Sequence, residues 1–74
     1  MNRLLKYIHQ PQMMEELEYQ LLEGASPLEV IQDNLQAYVR SYRIAYDDRI
    51  TTDEVMEAGV MLLAGMEQYL QMMN

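Results

Sequence analysis

The sequence predicts an all-α protein, a compact three-helix bundle with a short additional N-terminal helix. Two helix-start signatures support this prediction, Ser26-Pro27-Leu28-Glu29 and Thr51-Thr52-Asp53-Glu54. In each, the hydroxyl side chain can accept a hydrogen bond from the amide three residues on, while the glutamate there bonds back to the amide of the cap. Between these starts, apolar residues recur at intervals of three and four, the period of a helix. Almost no residues are left over for other structure.

A break near His9 and Gln10 is predicted to separate a short first helix from a second one that begins at Pro11. The apolar stripe before Pro11 and the stripe after it are displaced by about half a turn, so one continuous helix would not align them. These stripes are Met1, Leu4, Leu5 and Ile8, then Met13, Met14, Leu17 and Leu21. Proline fits the first turn of a helix, where its missing N–H would have no partner. Gly24 is placed to end the second helix in a left-handed conformation.

The third helix is predicted to run from Pro27 to between Tyr46 and Asp48, with one buried face. Its stripe consists of Leu28, Ile31, Leu35, Tyr38, Tyr42 and Ala45. The tyrosines at 38, 42 and 46 form a row that would suit stacking on nucleobases. Single-strand binders combine such a row with a cationic groove, and this chain is acidic, so packing in the core is the better interpretation.

The fourth helix, from about Asp53 to Met73, has an apolar arc of about 220°, which one neighbouring helix cannot cover. Two interpretations stay open. Either this is the central helix of the bundle, or one flank faces a second copy of the chain. Ala58 and Gly65 flank Leu62 on one edge and would let another helix approach closely, in the same chain or in another. The predicted oligomer interface is therefore Ala58, Met61, Leu62, Gly65 and Met72.

Length and composition restrict the class of protein. A chain of 74 residues is predicted to form a single helical domain, residues 1–74, in which one core is marginal and burial against a second copy or a partner is expected. The formal net charge of −7 disfavours direct binding to nucleic acid or to anionic lipid. The longest uncharged apolar run, Ala58 to Met66, is about half the length of a membrane span. We therefore expect a cytoplasmic protein that binds neither membrane nor nucleic acid.

No combination of residues predicts a catalytic, cofactor or metal site. The chain has no cysteine and a single histidine, His9, with no carboxylate evident to orient it. Residues 43–54 resemble a calcium-binding EF-hand loop in their second half, but Arg43 and Ala45 would stand where calcium needs oxygen ligands. Ser26, and either Thr51 or Thr52, are better explained as helix caps. We therefore expect the protein not to be an enzyme.

Two surfaces are candidates for binding a partner. Tyr19 falls on the polar side of its helix among glutamates, and an exposed aromatic residue ringed by carboxylates suits a basic protein surface. On the next helix, apolar residues repeat every seven positions opposite the main stripe. The alternative is a solvated face with an incidental tyrosine and scattered exposed aliphatic residues. The candidate partner-binding residues are Glu15, Glu16, Glu18, Tyr19, Glu23, Val30, Ala37 and Ile44.

These observations favour a small acidic, non-enzymatic module that binds another protein with a basic surface. In size, acidity and simple build the chain is similar in kind to the small inhibitors, including anti-CRISPR proteins, that phages and mobile elements direct against host nucleic-acid enzymes. This is an analogy of class, since no motif identifies a family. The alternatives are a homo-oligomeric structural or assembly protein and, less favoured, a DNA mimic, which would need regularly spaced carboxylates along one face.

Overall fold

The computed structural model describes residues 2–73 and consists of four helices without a strand in that range. They are α1 (Arg3–Ile8), α2 (Pro11–Leu22), α3 (Pro27–Tyr46) and α4 (Thr52–Met73). The predicted all-α fold, a three-helix bundle with a short N-terminal helix, is confirmed. Met1, which was placed on the first apolar stripe, and Asn74 lie outside the described residues.

The helix starts follow the predicted capping chemistry, with one difference. Thr51 and Glu54 form a complete capping box, in which the Glu54 amide donates to Thr51 Oγ1 at 3.2 Å and the Thr51 amide donates to Glu54 Oε1 at 3.2 Å. At Ser26 only the first half forms, from the Glu29 amide to Ser26 Oγ at 3.3 Å. Pro11 occupies the first turn of α2, as predicted.

The ends of α2 and α3 both use left-handed residues. After α2, Gly24 has φ +105°, and the amides of Gly24 and Ala25 donate to the carbonyls of Leu21 and Gln20, at 3.1 and 3.2 Å. This pair of bonds is a Schellman motif and turns the chain toward α3. At the end of α3, Asp47 is left-handed, with φ +50°. This conformation is unfavourable for a residue with a Cβ atom but not for glycine. The structure thus confirms the predicted end of α2 at Gly24.

The core lies around α4, which contacts α1, α2 and α3. Leu4 and Ile8 of α1 are fully buried, so the short first helix is part of the core. Tyr7 packs edge-on against Tyr42 of α3, with ring centroids 5.4 Å apart, and its hydroxyl is hydrogen-bonded to Ser41. The buried core residues are Leu4, Tyr7, Ile8, Leu17, Leu21, Val30, Tyr38, Tyr42, Ala58, Leu62 and Met66. Helix α4 is therefore the central helix of the bundle, whereas the other interpretation, a flank that faces a second copy of the chain, stays a prediction.

Arg3 ties the N-terminus to the start of α4. Its guanidinium binds both carboxylate oxygens of Glu54, at 2.7 and 3.0 Å, and also pairs with Asp48. Asn2 caps α1 and donates to the Glu54 carbonyl at 2.7 Å and to the Glu57 carboxylate at 3.1 Å. The Arg3 guanidinium and the Thr51 amide hold the pKa of Glu54 well below its usual range. Arg3 therefore neutralises two of the acidic groups near this end of the bundle.

Candidate protein-binding surfaces

The outer surface of α2 carries the predicted aromatic residue among acids. Tyr19 is 62% exposed, and Glu15, Glu16 and Glu23 are also exposed. Leu22, 57% exposed, lies one turn from Tyr19 on this surface. We call the surface formed by Glu15, Glu16, Tyr19, Leu22 and Glu23 the acidic face. It combines apolar area with charge of one sign.

The predicted apolar line along the surface of α3 is not continuous, and the assignment of Val30 to this surface is wrong. Val30 is fully buried, because this end of α3 packs against α2. One turn further on, the Asn34 side-chain amide exchanges hydrogen bonds with Gln20 of α2 at 2.8 and 3.3 Å. Ala37 is exposed, and Ile44 is 85% exposed. Two separated apolar residues remain from the predicted seam.

The predicted oligomer interface on α4 is divided between core and surface. Ala58 and Leu62 are buried within this chain, so their assignment to an interface is corrected. Met61, Gly65 and Met72 are exposed. At Gly59, which faces α3, an added Cβ would make an ordinary van der Waals contact with Leu35 Cδ2, at 3.5 Å.

A cleft between α2 and α4 joins the exposed flank of α4 to the core. We call it the α2–α4 groove; its volume is about 190 Å³ and its walls are mainly apolar. The lining residues are His9, Met14, Leu17, Glu18, Leu21, Met61, Leu62, Gly65, Met66 and Tyr69. At Gly65 an added Cβ would meet no atom within 4 Å, so the groove is open there. Glu18, which was predicted to belong with Tyr19, is half-buried and lines this groove.

The charges of the chain are segregated between its helices. Helix α2 contains three glutamates and no lysine or arginine, and α4 contains four acidic residues and no lysine or arginine. The bases are Arg3, Lys6, Arg40, Arg43 and Arg49, in α1, α3 and the loop before α4. A partner that approaches α2 and α4 from outside therefore meets carboxylates that no base on either helix neutralises.

The tyrosines of α3 have three different environments. Tyr42 is buried as predicted, whereas Tyr46 is 55% exposed and lies at 5.9 Å from Tyr7, ring centroid to ring centroid. The buried hydroxyl of Tyr38 has no hydrogen-bond partner among residues 2–73. Burial raises the pKa of Tyr38 to about 12, and the negative charge of Glu16 adds to the shift. Core packing of this row is thus confirmed for Tyr38 and Tyr42 and wrong for Tyr46.

Sequence reasoning did not identify the groove, because its walls come from two helices far apart in the chain. A signal was present, since Glu15, Glu18 and Leu22 share one flank of α2 at the spacing i, i+3, i+7. That flank borders the apolar stripe of α2 on the side that faces α4. Periodicity alone does not show which side of α2 faces α4, because it gives only the relative angles of residues around one helix.

Within residues 2–73, no three acidic or histidine side chains lie where they could hold a metal ion. Among the helices of this range, none combines the length and the hydrophobicity that a membrane span requires. Comparisons with protein-family models, with curated proteins and with solved structures give no match for this chain.

Proposed function

We propose that this protein is a non-enzymatic binding module that occupies a basic surface of another protein with its α2 and α4 side. The observation that carries the proposal is the charge segregation, since neither helix has a lysine or arginine. Opposite charge across an interface speeds encounter and suppresses partners of the wrong charge. Tyr19, 62% exposed on the acidic face, supplies an aromatic anchor of the kind that dominates interface energetics.

The biological form that we propose is inhibition of a nucleic-acid enzyme. Such enzymes bind phosphates with lysine and arginine side chains, and the same side chains attract carboxylates. Occupation of that surface would block the nucleic acid without any bond being made or broken. The analogy with small inhibitors from phages and mobile elements supports this form at the level of protein class.

The experiment compares two variants of equal charge. Glu15→Lys with Glu23→Lys reverses the acidic face, whereas Asp33→Lys with Asp47→Lys changes the net charge by the same amount on α3 and at its end. Glu16 is left unchanged, because it lies near the buried Tyr38 hydroxyl. Both variants and the wild type are immobilised, and the proteins retained from a host lysate are compared by mass spectrometry.

We expect at least one protein to be retained by the wild type and by the α3 variant but not by the α2 variant. That protein should be released as the salt concentration rises, since exposed charges are screened. Retention of the same proteins by all three forms would contradict the proposal. Loss of retention in both variants alike would also contradict it, because net charge and not the acidic face would then account for binding.

A further inference from the structure

We propose that the α2–α4 groove receives a basic amphipathic helix of the partner, with one large apolar side chain inserted beside Gly65. This inference rests on the proposed function and specifies its partner. It adds a second element to the charge argument, an apolar cleft that opens next to the carboxylates.

The volume of the groove indicates what enters it. Pockets for drug-sized ligands usually measure about 300 to 1,000 Å³, and this groove, at about 190 Å³, is smaller. A protein cavity of about 150 Å³ lined by aliphatic and aromatic residues accommodates benzene. The groove therefore has room for one leucine or phenylalanine side chain, which is what a protein partner would offer.

The exposed flank of α4 favours a helix over an extended segment. Met61, Gly65 and Met72 lie on one flank of a 12-residue segment, with about 16 Å of helix axis between the first and the last. A partner helix presents apolar side chains at i, i+3 or i+4, i+7 and i+11 over the same length, the usual pattern of a helix bound in a groove. Methionine side chains adapt to such partners because they are flexible and polarisable.

The charges around the groove select a basic helix over a second copy of this chain. Glu18 lines the groove, and Glu15 lies one turn away on the same flank of α2. Two copies joined symmetrically through this face would bring these carboxylates together with no lysine or arginine from α2 or α4 between them. A helix with lysine or arginine beside its apolar stripe pairs with them instead.

The test uses three synthetic 14-residue peptides and calorimetric titration of the wild-type protein. The probe peptide places leucine at one helical face and lysine elsewhere. The second peptide has the same composition with the leucines dispersed around the helix, and the third has glutamate in place of lysine. We expect the probe to bind about tenfold or more tightly than either of the others.

Two variants then distinguish binding in the groove from general electrostatic attraction of the peptide. Gly65→Leu adds a large side chain at an exposed position that lines the groove, where an added Cβ would meet no atom within 4 Å. Ala45→Leu enlarges an exposed small residue on α3 and is the matched control. We expect Gly65→Leu to weaken probe binding about tenfold and Ala45→Leu to leave it within about twofold. Circular dichroism checks that both variants are folded.

Methyl NMR of the methionines locates the bound peptide. The methyl signals of Met14, Met61 and Met66, which line the groove, should shift on titration. Met56 is 65% exposed and does not line the groove, so its signal should stay in place.

Equal binding of the probe and dispersed peptides, or no effect of Gly65→Leu, would overturn the inference. The proposed function would then still stand if the charge reversal on α2 abolished partner retention. If the groove signals shift with protein concentration in the absence of peptide, a second copy occupies the groove, and the inference is wrong. If Gly65→Leu abolishes partner retention while charge reversal has no effect, the proposed function fails, and the inference that a basic helix occupies the groove fails with it.

Discussion

Val30→Ala tests the way in which α2 covers α3. Val30 is fully buried, so alanine there removes two buried methyl groups. Deletion of one buried methylene costs about 0.5 to 1.5 kcal/mol, cavity included, and two cost about 2 kcal/mol. The higher helix propensity of alanine offsets up to about 0.5 kcal/mol of this loss. We therefore expect the free energy of unfolding to fall by about 1.5 to 2 kcal/mol.

Ile44→Ala is the matched control, because Ile44 stands two heptads from Val30 on the same line of α3 but is 85% exposed. Its remaining burial is worth about 0.4 kcal/mol, which the helix propensity of alanine offsets. Its expected effect on the free energy of unfolding is thus about zero.

Urea unfolding followed by circular dichroism at neutral pH measures both variants. The expected difference corresponds to a melting temperature lower by roughly 10 °C for Val30→Ala, given about 4 to 8 °C per kcal/mol in a chain of this size. Equal stability of the two variants would refute the packing of α2 on α3 described above. A loss confined to Ile44→Ala would refute it more strongly, since the exposed residue would then be the buried one.

Three further predictions concern stability. Asp47→Gly should stabilise the protein by about 0.5 to 1 kcal/mol in urea unfolding, since glycine adopts the left-handed conformation of this residue without strain. The control Asp47→Asn removes the charge alone and shows how much of the gain comes from it. A loss of stability for the glycine variant would contradict the argument. Gly65→Ala should increase the free energy of unfolding by about 0.5 to 1 kcal/mol in the same measurement, because alanine favours the helix more than glycine does and the added methyl meets nothing within 4 Å. Destabilisation would show that there is no space for a methyl group at this position. Arg3 lowers the pKa of Glu54 below the value of about 4.3 that a glutamate has in the unfolded chain. The pair therefore stabilises the fold fully above about pH 4.3, and this stabilisation is lost as the pH falls through the lowered pKa. Arg3→Gln should therefore lower the urea midpoint at pH 7 and make it less dependent on pH between 5 and 2, and an unchanged pH profile would count against the pair.

The helix boundaries could be predicted because the chemistry that sets them is local. The Thr51 cap bonds to Glu54 three residues away, and the turn at Gly24 uses carbonyls of the helix that it ends. Proline and glycine act through their own backbone dihedral angles. A single sequence contains all of this information.

The surfaces could be predicted only in part, because exposure depends on which helix lies over which. Val30 and Ile44 occupy equivalent heptad positions, yet α3 extends beyond the region that the 12-residue α2 covers, so one is buried and the other exposed. The pairing of Arg3 with Glu54 joins residues 51 apart and has no local signal. The same holds for the groove, which forms only when α2 and α4 meet. The exposure of Tyr19 could be predicted, because the periodicity of α2 shows which of its sides is polar.

The most direct test of the account is the affinity of the captured partner for the acidic face. Calorimetric titration at low and at physiological salt would compare the wild type with Glu15→Lys/Glu23→Lys and with Asp33→Lys/Asp47→Lys. We predict that the reversal on α2 weakens binding about tenfold or more, about 1.4 kcal/mol, with the larger loss at low salt. The reversal on α3 should change the affinity by less than about twofold. Equal affinities for both variants at both salt concentrations would contradict the claim that this protein acts through its acidic face.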